Sequence, residues 1–426
     1  MDDKVVITGS GLVSSLGSSA SDTWEALVSG KHGINALEDF DARGFDCRAA
    51  ALAQSPDPSE LGIHPRDART MDKHSHMLMK CSQDAFKNSG LDKAPVPAED
   101  IGFFAGMGMF DCNTEDLLTA VKKSLDPQGN MDYDAFFSGA YQEIYPLWPL
   151  SMLNNISFCQ VAINLDIKGE NTVFSAHADS GAQAIAEAVA TLIDKKASTV
   201  LAGGVSEKVS PLSLARAHLH GILNTSDTDG LAVCRPFGAD RKGTVLGEGC
   251  GILSLELRSS ADRRAAAYSA MITGYGSSCE IEEASYTPTS KAMSGSMSSA
   301  IAGTGLKPTD IDVIIANGDG TINSDKNETD AINAVFSECV DKIIIFSSKG
   351  ALGHLLAGAP AVDVILGIYM LEHGIIPATL NCVPLDKEVK FNVVSKEPLK
   401  AHPKRIMINS FSYEGQCSSL IIEAVE

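Results

Sequence analysis

Mostly apolar runs alternate along the chain with segments whose apolar positions recur every three or four residues. The apolar runs predict buried β-strands, and they are KVVITG (4–9), IGFFAG (101–106), NTVFSA (171–176), TVLAGG (199–204), GILSLEL (251–257), IDVIIAN (311–317), KIIIFS (342–347) and RIMINSF (405–411). The periodic segments predict helices, and they are TMDKHSHMLMKCSQDAFKNSG (70–90), AQAIAEAVATLIDKK (182–196), DKNETDAINAVFSEC (325–339) and APAVDVILGIYMLEHG (359–374). This alternation predicts an α/β protein whose sheets are covered by helices on both faces.

Two segments in different halves of the chain share one pattern. FSAHADSGAQAIAEAV (174–189) and FSSKGALGHLLAGAPAVDV (346–364) each read as a strand, a turn of small residues and a helix. The shared pattern predicts a duplicated architecture with halves 1–255 and 256–426, although two such units also arise by chance in α/β chains. Residues 107–150, rich in aromatic residues and proline, interrupt the pattern and predict an insertion at a functional edge.

The composition is that of an ordinary globular protein. Of its 426 residues, 44% are hydrophobic and 21% are charged. No stretch reaches the roughly 20 consecutive apolar residues that a membrane span needs. The beginning, MDDKVVITGSG, has no basic region followed by an apolar run, which argues against a signal peptide. These features predict a cytoplasmic protein that does not enter a membrane.

Charge and cysteine usage exclude further classes. The net charge of -20 argues against nucleic acid as a partner, because phosphate contacts need a basic surface. The ten cysteines form no CxxC pair and have no histidines at metal-ligand spacing, so we expect reduced thiols, no metal and no cofactor. GSGLVS (9–14) lacks the third glycine of a dinucleotide-binding loop, and the hydrolase elbow would need glycines where Ala178 and Ala182 stand.

Seven ordered stretches carry a resemblance to a known family. They are VVITGSGLVSSLG (5–17), RTMDKHSHMLMKCSQDAFKNSGL (69–91), LAGGVSEKVSPL (201–212), CRPFGADRKGTVLGEGCGILSLE (234–256), ANGDGTINSDKNE (316–328), SSKGALGHLLAGAPAVDV (347–364) and INSFSYEG (408–415). Over nearly its whole length the chain resembles the β-ketoacyl synthases of the thiolase-fold superfamily. The resemblance implies a duplicated, five-layer α/β/α/β/α fold.

Members of that family need three reactive groups. A cysteine at a helix N-terminus carries the growing acyl chain as a thioester, and two histidines assist the decarboxylation of a malonyl thioester. The DSG and DKxE motifs place the cysteine at Ala178 and the first histidine at Asn317. The second histidine is retained as His354, and the family's lysine as Lys349.

These departures predict that no residue of the chain catalyses condensation. The methyl group of Ala178 cannot hold an acyl chain, and Asn317 can donate a hydrogen bond but cannot shuttle a proton near neutral pH. The glycine-rich loop of the family is altered to SYEGQC (412–417). His354 is then either a structural histidine or a catalytic histidine that has kept its place without its two partners. Lys349, with Asp325 or Glu328, is either part of a catalytic network or a buried ion pair that braces two loops.

The residues that flank Ala178 allow a second interpretation. His177 and Asp179 could form a new triad with Ser180, although neighbours on a turn point in different directions. In that case the chain would be an independent acyl-processing enzyme using Ser180, His177 or His354. The alternative role for Ser180 is that of a helix-capping or packing residue.

Within the family, the chain most resembles the chain-length factor of type II polyketide synthases. GAPAVDV (358–364) and the changed motif at Asn317 are similar to that class, whereas Ala178 replaces its usual glutamine and His354 is more like an active synthase. The resemblance implies a heterodimer with an active ketosynthase, and contact with an acyl carrier protein through that subunit. It also implies a tunnel floor at Met109, Phe110 and Leu118, which could otherwise be ordinary core. A third interpretation is an inactive homodimeric synthase that serves as a scaffold.

Overall fold

The structure, a computed structural model, describes residues 3–94, 96–109, 111, 115–175, 177–226, 230–282 and 287–425. The strands are β1 (Val5–Ser14), β2 (Asn35–Ala36), β3 (Ala49–Ala50), β4 (Ile101–Met107), β5 (Asn171–Ser175), β6 (Thr199–Val205), β7 (Gly249–Leu257), β8 (Ala270–Cys279), β9 (Ile281–Glu282), β10 (Thr287–Pro288), β11 (Val313–Ile315), β12 (Ile344–Phe346), β13 (Ile375–Ile376), β14 (Asn392–Val393), β15 (Leu399–Lys400), β16 (Arg405–Phe411) and β17 (Gln416–Ala424). The α-helices are α1 (Ala20–Val28), α2 (Lys73–Asn88), α3 (Glu115–Lys123), α4 (Tyr133–Ser138), α5 (Asn154–Asn164), α6 (Ser180–Ile193), α7 (Pro211–Leu219), α8 (Arg258–Arg263), α9 (Ser290–Ala302), α10 (Ile322–Val335), α11 (Lys349–Leu352) and α12 (Ala359–His373). Every strand and helix predicted from the apolar pattern falls on one of these elements.

The strands repeat one topology in the two halves of the chain. Within the described residues, the main sheet has the order β14-β12-β11-β16-β17-β8-β1-β7-β6-β4-β5. Two sets of five strands correspond one to one within this sheet. They are β5-β4-β6-β7-β1 from the first half and β12-β11-β16-β17-β8 from the second, and strands in the same place of each set come in the same order along the chain. In each set the first two pairings are parallel and the next two are antiparallel. The predicted duplication is therefore confirmed, and β5 and β12, which carry the two similar motifs, occupy equivalent places.

The two sets of strands join where β1 lies beside β8. Residues 5–7 of β1 pair antiparallel with residues 270–272 of β8. Helices α2 and α5 cover the outer face of the first set, and α9 with α10 covers the outer face of the second. Helices α6 and α12 pack against each other and against strands of both sets. This gives the five layers predicted for the fold, and the boundary near residue 255 remains our proposal for the division between the halves.

The central helix α12 is buried on all sides. Each residue from Ala359 to Ile368 is buried, as expected for a helix that is apolar all round. Within the described part of the chain, the stretch Leu356–His373 is the one helix long and apolar enough to cross a membrane, and 78% of it is buried inside the protein. Its apolar character therefore reflects its position between the two sets of strands.

Small residues bring the two halves into backbone contact. Gly181 opens α6, and a Cβ atom added there would lie 2.5 Å from the carbonyl oxygen of Ala357. A Cβ atom at Gly204 of β6 would lie 2.2 Å from the same oxygen, and one at Gly106 of β4 would lie 2.3 Å from the Gly181 nitrogen. Real Cβ atoms do not approach backbone this closely, so only glycine permits this packing.

The insertion predicted at 107–150 contains short helices rather than a crossover. Helices α3 and α4 are joined by turns and followed by 3-10 turns at Ala140–Glu143 and Trp148–Met152. Its large apolar side chains are unusually exposed, and among them are Leu118, Leu125, Tyr133, Phe137, Tyr141, Tyr145 and Leu147. Large exposed apolar surfaces are typical of interaction sites in folded proteins.

We predict that Gly181→Ala destabilises the fold by about 1–3 kcal/mol, because the added methyl group must displace backbone. Gly44→Ala is the matched control, since Gly44 lies in an exposed turn and its added Cβ would meet no atom within 4 Å. Urea unfolding of the two variants measures the difference. Equal stability of both variants would show that the contact with Ala357 does not constrain the fold.

Candidate functional site

Ala178 lies at the turn between β5 and α6. It is 2% exposed and immediately precedes Asp179, the N-terminal cap residue of the helix. Its side chain belongs to an apolar cluster that includes Val209 and Leu214. Its backbone N–H donates to the Ser412 hydroxyl at 3.4 Å. The position is therefore buried and surrounded by apolar side chains, and its methyl group offers no nucleophile.

The neighbours of Ala178 point in different directions. The Ser180 hydroxyl accepts a hydrogen bond from the backbone N–H of His177 at 3.1 Å, so it caps the turn. Asp179 Oδ2 accepts hydrogen bonds from Gln183 Nε2 and from Ser418 Oγ, each at 2.8 Å. Burial raises the pKa of Asp179. Ser180 is the first residue of α6 and is not its cap, so the helix-capping alternative is wrong; its buried hydroxyl closes the turn, and these contacts do not assemble a triad.

Asn317 is held on both sides of its amide. Its Nδ2 donates to Asp319 Oδ2 at 3.2 Å, and its Oδ1 accepts from the backbone N–H of Phe411 at 3.2 Å. Its own backbone N–H donates to Glu328 Oε1 at 2.9 Å. The Asn317 side chain thus fixes the loop that follows β11 to the end of β16.

Glu328 organises the same loop from α10. Its carboxyl group also accepts from the backbone N–H of Gly318 at 2.7 Å and from Asn409 Nδ2 at 3.2 Å. Burial raises the pKa of Glu328 to about 7, and the backbone hydrogen bonds oppose this rise. A buried carboxyl group with these partners stabilises the position of Asn317.

Lys349 forms its ion pair with Asp363, so the predicted pairing with Asp325 or Glu328 is wrong. Lys349 Nζ lies 3.6 Å from Asp363 Oδ2, and both side chains are buried. Burial raises the pKa of Asp363, and the Lys349 charge opposes the rise. Asp325 instead accepts from the backbone N–H of Phe237 at 2.7 Å. The ion pair still braces buried segments, since it joins α11 to α12.

His354 is buried and neutral. Its backbone N–H donates to the Val245 carbonyl at 2.7 Å, and its Nδ1 accepts from the Leu356 backbone N–H at 3.3 Å. The neutral ring therefore carries its proton on Nε2. Burial first, and then the charge of Lys349, lower the pKa of His354 to about 4, while the Asp319 charge opposes this. The ring borders a cavity of about 150 Å³ that Asp319 also lines.

The altered loop after β16 is fixed to its surroundings. The Tyr413 ring lies 4.5 Å from the His220 ring, centroid to centroid. Glu414 Oε2 lies 3.3 Å from His177 Nδ1 and also accepts a hydrogen bond from the Ser412 hydroxyl. The side chain of His177 thus faces Glu414 rather than Ser180, which removes the base from the alternative triad.

The residues predicted for the tunnel lie at the protein surface. Met109 is 38% exposed, and Leu118 on α3 is 46% exposed. Phe110 lies outside the described residues. The two described side chains are therefore not ordinary core, and their role in a tunnel remains a prediction.

The site contains charged residues that the sequence did not single out. Asp319 borders the cavity, Asp363 neutralises Lys349, and a buried Glu207 pairs with Arg216. Asp319 lies between two glycines in the ANGDGT stretch (316–321), and an acidic residue in that loop was the available signal. Among the described residues, no group of three or more His, Cys, Asp or Glu side chains is placed to hold a metal ion.

We predict that His354 makes stability depend on pH. The unfolded chain protonates this histidine below its ordinary pKa of 6.5, whereas the folded chain keeps it neutral to a pKa of about 4. The native state therefore loses on the order of 3 kcal/mol as the pH falls through this window. His354→Gln should remove this loss, so the stability difference between wild type and variant should shrink from pH 7 to pH 4 in urea unfolding.

Glu328 provides the control for that measurement. Because its pKa is raised, Glu328 affects stability in the opposite direction: its contribution to the free energy of unfolding is lost as the pH rises from 4.5 through about 7. Glu328→Gln should therefore change the pH profile in the other direction. A wild-type-minus-His354→Gln difference that stays constant with pH would contradict the buried, neutral state of His354.

Solved structures share the fold along the whole chain. The ishigamide ketosynthase/chain length factor superposes with a TM-score of 0.87 at 25% sequence identity, and the alignment covers 100% of both chains. A type II PKS acyl-carrier protein in complex with its ketosynthase bound to the hexaketide superposes with a TM-score of 0.83 at 23% identity, again over 100% of both chains. The second likeness concerns the fold alone.

Sequence comparisons agree over the same length. The chain is 27% identical over 423 residues to 3-oxoacyl-[acyl-carrier-protein] synthase 2 of Coxiella burnetii, and the alignment covers 99% of each chain. The family model of the β-ketoacyl synthase N-terminal domain matches residues 2–261, and that of the C-terminal domain matches residues 269–383. Together these matches span most of the chain, which belongs to the β-ketoacyl synthase family.

Proposed function

We propose that the chain is a chain-length factor, a ketosynthase-like subunit without condensing activity of its own. It pairs with an active ketosynthase and sets product length in type II polyketide biosynthesis. The observation that carries this proposal is the buried methyl group of Ala178, at the turn where the family's cysteine would stand. The turn and the helix that follows it are present and the overall fold is that of the family, so we infer that the chemistry is lost while the architecture remains.

The two histidine positions support the same conclusion. Asn317 replaces the first histidine and has both ends of its amide engaged by Asp319 and Phe411. His354 remains, but a buried neutral imidazole without a nucleophile cannot form an acyl-enzyme. The site therefore lacks two of the three groups that condensation requires.

The relatives leave two roles to choose between. The curated relatives at 27–28% identity are named as synthases, whereas a structural neighbour at 25% identity is named as a ketosynthase/chain length factor. An active synthase needs a nucleophile at position 178. The choice of the non-catalytic role therefore depends on the residues of this chain rather than on the family name.

The insertion and the neighbouring strand provide the surface for a partner. Exposed apolar side chains cluster on the insertion, and Phe137 on α4 is 70% exposed. Within the described residues, β5 ends the sheet and has β4 on one side only. An open strand edge beside an apolar surface is suited to burial against a second subunit. We assign this surface to the active ketosynthase.

The acyl carrier protein reaches the complex through the ketosynthase subunit. A carrier must present its acyl group to a nucleophile, and in the proposed pair only the partner supplies one. The strongly negative charge of this chain also disfavours direct docking of an acidic carrier. In this proposal the chain acts on the product by shape, through Met109 and Leu118 and with the predicted contribution of Phe110, which lies outside the described residues.

An independent acyl-processing enzyme is the less favoured function. It would need Ser180 as a nucleophile with His177 or His354 as its base. The Ser180 hydroxyl is buried and accepts from the His177 backbone, while the His177 side chain faces Glu414. This arrangement counts against a serine nucleophile at the turn.

We predict that Ala178→Cys does not convert the chain into a condensing enzyme. The new thiol would stand at the start of α6, but Asn317 still cannot transfer a proton. Elongation by the variant alone should fall below that of an active synthase by roughly 10²–10⁴-fold, the usual contribution of general acid–base catalysis. Carrier-bound products are measured by mass spectrometry, with an active synthase as the positive control.

Elongation by the wild-type chain alone would overturn the proposed function. Full turnover by Ala178→Cys would leave the wild-type assignment standing but would show that Asn317 does not limit the chemistry.

We predict that Met109→Trp shortens the products of the complex with its ketosynthase. The larger side chain should fill the end of the tunnel, and the initial rate should stay similar because the reacting centre lies in the partner. Leu399→Trp is the control, since Leu399 has a comparable exposure of 41% and lies on β15, outside the insertion. Product chain lengths are read by mass spectrometry. An unchanged distribution of product chain lengths at lower yield would show that Met109 has only a structural role.

A further inference from the structure

The loop after β11 contains a chemically labile pair of residues, Asn317 followed by Gly318. It is the only place in the sequence where glycine directly follows asparagine. Glycine has no Cβ atom to hinder the approach of its backbone nitrogen to the preceding side chain. The nitrogen can therefore attack the asparagine amide within the same chain, and proximity makes such a reaction efficient.

The reaction is a deamidation that ends in a carboxylate. The Gly318 nitrogen gives up its proton and bonds to Cγ of Asn317, while the bond from Cγ to Nδ2 breaks and Nδ2 leaves with that proton as ammonia. Water then opens the cyclic imide at either of its carbonyl carbons. The product is aspartate, or isoaspartate in which the main chain runs through the former side chain.

The fold requires glycine at the second position of the pair and fixes it. The Gly318 N–H donates to Glu328 Oε2 at 2.7 Å, and the Gly318 carbonyl accepts from the Ser347 hydroxyl at 2.8 Å. Its φ of 37° is in the left-handed region, and an added Cβ atom would lie 3.0 Å from the Phe237 ring. The labile pair is therefore a consequence of the backbone geometry of the loop.

Asn317 is fixed by the same surroundings. Its Nδ2 donates to Asp319 Oδ2 and its Oδ1 accepts from the Phe411 backbone N–H, each at 3.2 Å. Ring closure requires the amide to turn towards the Gly318 nitrogen, which breaks both of these bonds. It also removes the proton through which Gly318 binds Glu328. The hydrogen bonds of the closed loop therefore oppose the reaction.

The product would not fit the contacts of the closed loop. A carboxylate at position 317 offers only acceptor oxygens, so Asp319 Oδ2 would lose its donor and face another acceptor. Two buried cations act on this region, and both have other acidic partners. Arg241 Nη1 lies 2.7 Å from Asp386 Oδ2, and Lys349 Nζ lies 3.6 Å from Asp363 Oδ2. A new carboxylate would therefore lack a free cation and destabilise the loop.

We propose that Asn317 is a deamidation site that the closed loop protects and that reacts when the loop opens. Because the product cannot remake the original contacts, the modification is a one-way change from the closed loop to an open one. The inference is independent of the proposed function, since it concerns a reaction within this chain.

Peptide mapping by mass spectrometry measures the protection, because it locates each amide that has become an acid. The full chain is incubated, folded or in urea, above pH 7, where Glu328 with its pKa of about 7 is ionised. Asn317 should be the first asparagine converted in urea. Its conversion in the folded chain should be slower by roughly a hundredfold or more, because it must await a local opening. Equal rates in both states, or no conversion in urea, would overturn the inference.

Two variants loosen the closed loop at different points. Glu328→Gln removes the carboxylate that accepts from two backbone N–H groups, and Ser347→Ala removes the donor to the loop carbonyl. Each should speed the conversion of Asn317 in the folded chain by roughly tenfold or more. Asp330→Asn, which changes an exposed carboxylate of α10, is the matched control. Unchanged hydrogen exchange in β1 shows that the variants remain folded, and rates no higher than in the control would contradict the proposal.

Asn317→Asp tests the one-way change, because this variant is the aspartate product itself. The backbone amide of Gly318 should exchange its hydrogen roughly tenfold faster than in the wild type, or more. Asn323→Asp is the matched control, since Asn323 is an exposed asparagine of α10, and it should leave that exchange unchanged. Full protection of Gly318 in Asn317→Asp would show that the loop closes again and would overturn the one-way change, while the proposed function would stand.

Discussion

The backbone contact between the two halves sets the geometry on which the rest of the structure depends. Gly181 at the start of α6 and Gly204 in β6 both approach the carbonyl oxygen of Ala357 so closely that a Cβ atom would not fit. Ala178 precedes Gly181 by three residues, and His354 precedes Ala357 by three residues. The contact therefore holds together, through packing alone, the two turns at which the family motifs place Ala178 and His354. This contact involves only glycines and a backbone carbonyl, so it does not need reactive side chains at those positions.

At the positions that the family motifs assign to the cysteine and the first histidine, this chain has residues that pack against or hydrogen-bond to their neighbours. Ala178 adds a methyl group to an apolar cluster, and Asn317 joins two loops through its amide. Buried polar groups destabilise a protein unless they find partners, and Glu328 supplies several of them around Asn317. The residues around Asn317 thus form a structural junction. In the role that we propose, the subunit contributes an interface and tunnel walls and carries no acyl chain.

The sequence predicted the fold well and the site in part. Apolar runs located eight strands, although β5 at the edge of the sheet is partly exposed and not buried as predicted. The sequence missed β8, whose residues include Gly and Ser and alternate between buried and less buried positions, and β17, whose first half is QCSS. The positions of Ala178 and Asn317 followed from motif spacing. The partner of Lys349 did not, because the sequence does not show which buried acidic residue packs beside it, and only the packing of α12 against α11 brings Asp363 to it. Asp319 was missed because a loop acid between glycines reads as solvent-exposed until the fold buries it.

Acyl stoichiometry in the purified complex tests the non-catalytic role most directly. The chain is purified together with its ketosynthase, acylated from a loaded acyl carrier protein and measured by native mass spectrometry, with peptide mapping of the acylated residue. We expect a 1:1 pair that carries one acyl group, located on the cysteine of the ketosynthase subunit. An acyl group on this chain, or a homodimer of this chain that excludes the ketosynthase, would contradict the assignment.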